Sequence, residues 1–143
     1  QPGPTEGAHA LLDTLSASGI PTGIITNGFS FLQKRKAEAH GLAERVRFVL
    51  TSEDAGAHKP DARIFARALA TVGVAARDAW HVGDHRDNDI AGALNAGLGA
   101  VWYVPESTSA GGPPADAALE PRPFRVITRL DELPVLFESR AGR

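Results

Sequence analysis

The sequence contains no cysteine, which excludes a disulfide framework and any thiolate metal centre. That absence agrees with a reducing compartment, and we expect a cytoplasmic protein. No run of about 20 apolar residues is present, so no bilayer-spanning helix is expected. Basic residues are not in excess: 15 Lys and Arg stand against 17 Asp and Glu, a net charge of -2. Such a balance gives no broad positive field for a phosphate backbone, which argues against sequence-independent nucleic-acid binding. A small anion held by local donors stays compatible with it. No signal-like segment opens the sequence, and Gln1 stands where an initiator methionine would, so we expect a piece of a longer chain.

What is present describes one globular unit. The chain has 143 residues, 43% hydrophobic and 22% charged, enough for one core that buries roughly 68–70% of the unfolded surface. Ala8, Leu11, Leu12 and Leu15 recur at helical spacing before "SGIPTG" ends the run. "IIT" (24–26) reads as a strand, and "SFLQKRKAEAHGL" (30–42) as a charged surface helix closed near Gly41. "VRFVLT" (46–51) is a second strand. "DARIFARALATVG" (61–73) places Ile64, Phe65, Ala68, Leu69 and Val72 on one face of a helix. "AWHV" (79–82), a helix over 88–96 and "AVWYV" (100–104) follow. Residues 105–123, rich in proline, glycine, serine and alanine, read as a long surface loop. "RVIT" (125–128) reads as an edge strand and "LDELPVLFE" (130–138) as a terminal helix. This alternation predicts an α/β fold with a doubly wound, Rossmann-like parallel sheet. Phe65, Val101 and Trp102 are expected in its core.

In such sheets ligands sit beyond the carboxyl ends of the strands, and the chemically distinctive residues fall there. "TNG" (26–28) offers a hydroxyl and backbone N–H groups suited to a phosphate, or is simply a turn. Lys59, directly before Pro60, is either a solvated surface lysine or a point charge aimed at an anion. In "HVGDHRDNDIAGALNAGL" (81–98), Gly83 is expected to let the chain turn sharply. Asp84 then presents a hard oxygen ligand suited to Mg²⁺. Asp89 is expected in the first helical turn, where it could hydrogen-bond metal-bound water. Asp87, Asn88 and Asp89 read equally as helix caps, Asp87 above all. His58, His81 and His85 lack the spacing of an established zinc site and are expected to be structural or peripheral to a carboxylate site.

Together, "TN" after a strand, "KP" before a helix and "GDxxxxD" after a later strand resemble motifs two to four of the haloacid dehalogenase-like hydrolases. "GIITNGF", "SEDAGAHKPDARIF" and "HVGDHRDNDIAGALNAGL" are similar to the branch containing pyrimidine nucleotidases and N-acylneuraminate phosphatases. The resemblance runs from about "GAHALLDTL" to "VITRLDELPVL". It implies a Mg²⁺-dependent phosphatase that works through an aspartyl-phosphate and takes a small phosphorylated metabolite, a nucleotide or sugar phosphate. By position, Thr26 and Lys59 would be catalytic; Thr26, Asn27, Gly28 and Lys59 would bind phosphate. Asp84 would ligate Mg²⁺, with Asn88 and Asp89 in the metal's outer shell. The true dehalogenases of the family need no metal and carry a serine-asparagine pair in place of "GD", so metal-free dehalogenation is the weaker reading.

The family's first motif, Asp-x-Asp-x-Thr/Val, supplies the nucleophile from a central strand, and this sequence has no such motif before Thr26; Asp13 sits within the first helix. The chain, residues 1–143, therefore resembles the carboxyl-terminal part of the core, without its central strand and cap. Three arrangements are open: an upstream segment, a direct pairing of "IIT" with "AWHV", or a strand donated by another chain. The literal alternative for function is a binding module that keeps the fold without turnover.

Overall fold

The structure, a computed structural model, describes residues 7–105 and 124–134. Helix α1 (Ala8–Ala17) buries Leu15 and stops before Gly19, which takes a left-handed φ of 78°. Strand β1 (Ile24–Thr26) leads to α2 (Ser30–Ala39), a surface helix that buries only Ala37. Strand β2 (Val49–Thr51) is followed at once by α3 (Ser52–Ala55), a single helical turn. The Thr51 hydroxyl makes that turn by accepting the Asp54 N–H at 3.1 Å.

Helix α4 (Ala62–Val72) is as expected: Asp61 caps it, Ile64, Phe65 and Ala68 are buried, and Gly73 ends it in the left-handed region. Strand β3 (Trp80–Gly83) passes into a π-helical turn (Arg86–Ala91), then α5 (Gly92–Asn95), β4 (Gly99–Tyr103) and β5 (Phe124–Ile127). The helix expected over 88–96 thus begins as a wider turn, with the Asp89 and Ile90 N–H groups both directed to His85 O. The expected terminal helix opens as a 3₁₀ turn, Leu130–Glu132. Its residues 135–138, and 106–123 of the expected loop, lie outside the described residues.

Among the described residues all strand pairs are parallel, in two sheets ordered β1-β2 and β3-β4-β5, with β5 at the edge. Side chains alternate across β4. Ala100 and Trp102 join Phe65, Ile64, Ile90 and Leu94 on one face, while Val101 joins Ile127, Leu130 and Leu133 on the other, with Ala8 and Leu11 of α1 against them. Helices therefore cover both faces, which is the doubly wound arrangement.

The two sheets do not meet. Among the described residues β1 and β3 share no ladder, so the direct pairing that the sequence left open does not occur. Ile64, Phe65 and Ala68 of α4 pack together with Leu50 and Ile25 of one sheet and Ala100 and Trp102 of the other. That common apolar layer joins the half-sheets on one face without a ladder between them. Between them lies a cavity of about 800 Å³, lined by Ile25 of β1, Trp80 and Val82 of β3, Leu11 of α1 and, at one end, Lys59 and Asp84. Ile24 donates to Phe48 O and Arg47 donates to Thr22 O, so the peptides of 22, 24 and 26 face β2 while those of Gly23 and Ile25 face the cavity. The Gly99 N–H goes to Ala79 O, which by the same alternation turns the Val82 peptide toward the cavity.

Candidate anion site at the strand ends

Thr26 closes β1 and Asn27 follows it. Neither the Thr26 hydroxyl nor the Asn27 backbone N–H has a hydrogen-bond partner among the described residues. Both stay open as donors. The Asn27 side chain is committed elsewhere: its Oδ1 accepts the Lys59 N–H at 2.9 Å and its Nδ2 donates to Lys59 O at 3.3 Å. The amide thus reproduces a pair of peptide contacts and ties the end of β1 to the loop before α4.

Gly28 is a different matter. Its φ of 142° and the Gln33 side chain lying against it require the absence of a β-carbon. Its N–H, however, already donates to Ser52 Oγ at 2.8 Å, and the first free N–H of α2, on Ser30, donates to Glu53 Oε1 at 2.7 Å. α3 therefore staples the "TNG" turn in place, and the donors available to an anion narrow to Thr26 and Asn27.

Lys59 is anchored at both ends. Asn27 holds its backbone, and its ammonium lies 2.7 Å from Asp89 Oδ1; the side chains are only 13% and 7% exposed. The same Oδ1 accepts from His81 Nε2 at 2.9 Å, and Oδ2 accepts the His85 N–H at 3.2 Å. Burial by itself would raise the Asp89 pKa. The hydrogen bonds from His81 and Lys59, with the charge of Lys59, more than reverse this and hold the carboxyl well below the usual carboxylate range. Asp89 is ionised, and an ionised carboxylate only accepts, so His81 must donate from Nε2.

Gly83 serves this network by a route the sequence reading missed. Its φ is not in the left-handed region; a β-carbon there would collide with the Asp89 carboxylate. Close approach, not a sharp turn, is why glycine stands there. The capping expectation is also corrected: His85 Nδ1 accepts the Asn88 N–H at 3.0 Å, while the Asp87 carboxylate turns out to Arg86 at 3.0 Å. Histidine's second nitrogen occupies the capping position that the aspartate was expected to fill.

Asp84 is exposed, has no hydrogen-bond partner among the described residues and lines the cavity beside Lys59. It is a free hard-oxygen donor. Asp89 is not, since both its oxygens are engaged, and among the described residues no group of three His, Cys, Asp or Glu side chains comes together to hold a metal. Mg²⁺ commonly keeps several waters and takes only one or two carboxylates plus substrate oxygens. Asp84 therefore fits one corner of a Mg²⁺ site. The three histidines are spoken for: His81 by Asp89, His85 by the cap, and His58 beside its own loop carbonyl at 3.1 Å.

A family profile described as haloacid dehalogenase-like hydrolase matches residues 2–97. The phosphoserine phosphatase of Thermus thermophilus is 41% identical over 95 residues, which are 66% of this chain and 38% of that protein. A pyrimidine 5'-nucleotidase of Escherichia coli is 40% identical over 100 residues, 69% of this chain and 44% of its own. The crystal structure of a 2-haloacid dehalogenase from Pseudomonas syringae pv. Tomato superposes with a TM-score of 0.78 at 34% identity, covering 95% of this chain and 54% of that one. The chain spans half or less of the length of these two curated relatives.

Proposed function

Because the chain belongs to the haloacid dehalogenase-like hydrolase family, we propose that it forms the anion-binding half of a Mg²⁺-dependent phosphomonoester hydrolase. The observation that carries this reading is Lys59, whose part-buried ammonium is fixed by Asp89 at the mouth of a cavity that also holds Asp84. Phosphoryl transfer is catalysed chiefly by positioned charge. A lysine gripped at backbone and ammonium loses little freedom on meeting an anion, and its remaining N–H donors serve the phosphoryl oxygens. The Thr26 hydroxyl and the Asn27 N–H supply neutral donors at the adjoining strand end. Mg²⁺, held by Asp84 and water, would add charge neutralisation on the same oxygens.

The substrate we propose is a small phosphorylated metabolite, a nucleotide or sugar phosphate. The relatives named as phosphoserine phosphatase and pyrimidine 5'-nucleotidase support the phosphomonoester class. The net charge of -2 speaks against nucleic acid, and among the described residues no helix is long and apolar enough to cross a membrane. The cysteine-free composition supports the cytoplasm. The nucleophile is the part this chain does not carry. We propose that an extended segment bearing an Asp-x-Asp motif, upstream or from another chain, lies between β1 and β3 and completes the site. The second reading, a binding module without turnover, is favoured for the 143-residue chain by itself, since no Asp-x-Asp-x-Thr/Val motif precedes Thr26 in it.

The test is phosphate release from a panel of phosphomonoesters with Mg²⁺, by the 143-residue chain and by the chain extended with an Asp-x-Asp-bearing segment. Release by the extended protein alone is expected. No release from either would sink the phosphatase reading, and halide release insensitive to chelator would restore the dehalogenase one.

A further inference from the structure

His81 and Gly83 lie two residues apart on β3, so they share one face of the strand. The Asp89 carboxylate returns from the π-helical turn over Gly83 and meets the His81 ring. That ring is itself fixed edge-on against Phe65, with centroids 5.0 Å apart and planes at 84°, and Phe65 is fully buried. His81 therefore has one orientation, and in it Nε2 addresses the same oxygen, Oδ1, that Lys59 binds. Two donors on one carboxylate oxygen hold each other's positions. Withdrawing one lets the carboxylate rotate toward the other, and the ammonium follows.

We propose that His81 is a positioning residue: through the shared oxygen of Asp89 it sets where the Lys59 ammonium stands at the mouth of the anion site. It does not meet the anion itself. The proposal rests on the phosphate reading above only for the purpose that Lys59 serves; the coupling of His81 to Lys59 stands on geometry alone.

The experiment separates the two. In the 143-residue chain, the ¹⁵N signal of the Lys59 ammonium, assigned by its loss in Lys59→Arg, reports a lysine held in a protected hydrogen bond, and titration with inorganic phosphate reports the anion site. His81→Phe keeps a ring against Phe65 but removes the donor. His81→Asn shortens the donor out of reach, and His81→Gln places an amide N–H near the original Nε2. The Lys59 signal should persist in wild type and His81→Gln and vanish in His81→Phe and His81→Asn. Phosphate affinity should fall by about tenfold in the latter two, as loss of one charge-assisted contact implies. A protected signal in His81→Phe or His81→Asn, its absence from wild type, or failure of the folded Gln variant to restore it would overturn the proposal. If the ammonium signal behaves as expected while phosphate binds no variant and not the wild type, the positioning role stands and the anion reading alone fails.

Discussion

The Asp89 carboxylate occupies the space where a β-carbon on Gly83 would stand. This contact puts a charged side chain flat against a strand backbone, within reach of both Lys59 and His81. Gly83→Ala forces either the carboxylate or the strand to move, and both are held by neighbours that have little room. Overpacking of this kind costs about 1–3 kcal/mol. Denaturant unfolding of the variant should show that loss, together with a weakened Lys59–Asp89 contact.

Asp89 itself gives a pH-dependent prediction. Its folded-state pKa is depressed below the ordinary aspartate value of about 3.9, so the stabilisation it provides is fully present above that pH and fades as the pH falls below it. Asp89→Asn removes this stabilisation and leaves the part-buried Lys59 without its anion, a change that costs less than the roughly 3–5 kcal/mol of breaking a fully buried pair. The gap in unfolding free energy between wild type and Asp89→Asn should be widest near neutral pH and should narrow steadily below about pH 4. Equal pH slopes for the two proteins would contradict the ion pair.

Why some of this site was legible in the sequence, and some not, follows from how each residue acts. Thr26 and Asp84 stand at strand ends, and Lys59 and Asp89 in the connections that follow β2 and β3, because the hydrophobic pattern sets where those strands run. Phe65, Val101 and Trp102 are buried for the same reason. Local chemistry without a period was harder. The turn of α3 depends on one hydroxyl, Thr51, and the capping by His85 depends on a ring nitrogen that composition does not single out. The partnership of Asn27 with Lys59 joins residues 32 positions apart, and no spacing rule reaches that far. His81 and Gly83 did leave a trace: "HxG" on one strand face is a small residue beside a polar one, a gap into which another polar group can fold.

Asn27 is expected to matter for rigidity before it matters for any ligand. Asn27→Ala removes two part-buried hydrogen bonds to the Lys59 backbone, each contributing about 0.5–1.5 kcal/mol. Hydrogen exchange should show the Lys59 amide protected in wild type and fast in the variant, with the strands β3 and β4 unchanged. An amide equally protected in both would mean that the clamp is not formed in solution.

Asp84 should behave in the opposite way. It is exposed and has no partner among the described residues, so Asp84→Asn should leave stability within about 0.5 kcal/mol of wild type. If it is the Mg²⁺ ligand, the Mg²⁺-dependent part of inorganic phosphate binding should disappear in that variant, while the Mg²⁺-independent part, owed to Lys59, persists. A large stability change, or an unaltered response to Mg²⁺, would remove Asp84 from that role.

The cavity between the sheets supplies the last prediction. The Ile25 and Val82 peptides face it from opposite sides, and Ile25, Trp80 and Val82 line it with apolar surface. An extended segment placed there pairs with both edges at once and covers that surface, and each buried peptide group that gains a partner avoids a penalty of about 1–3 kcal/mol. Of the two tryptophans, Trp102 is already buried whereas Trp80 lines the cavity. In a Trp102→Phe background the emission of Trp80 should therefore shift to the blue, and the melting temperature rise, when the chain is extended by an Asp-x-Asp-bearing strand. A strand of the same length with proline at consecutive positions has no N–H to donate to either ladder and should produce neither effect. Should it do so as well, the segment would be acting by apolar contact alone, and the pairing of β1 and β3 with a strand between them would be wrong.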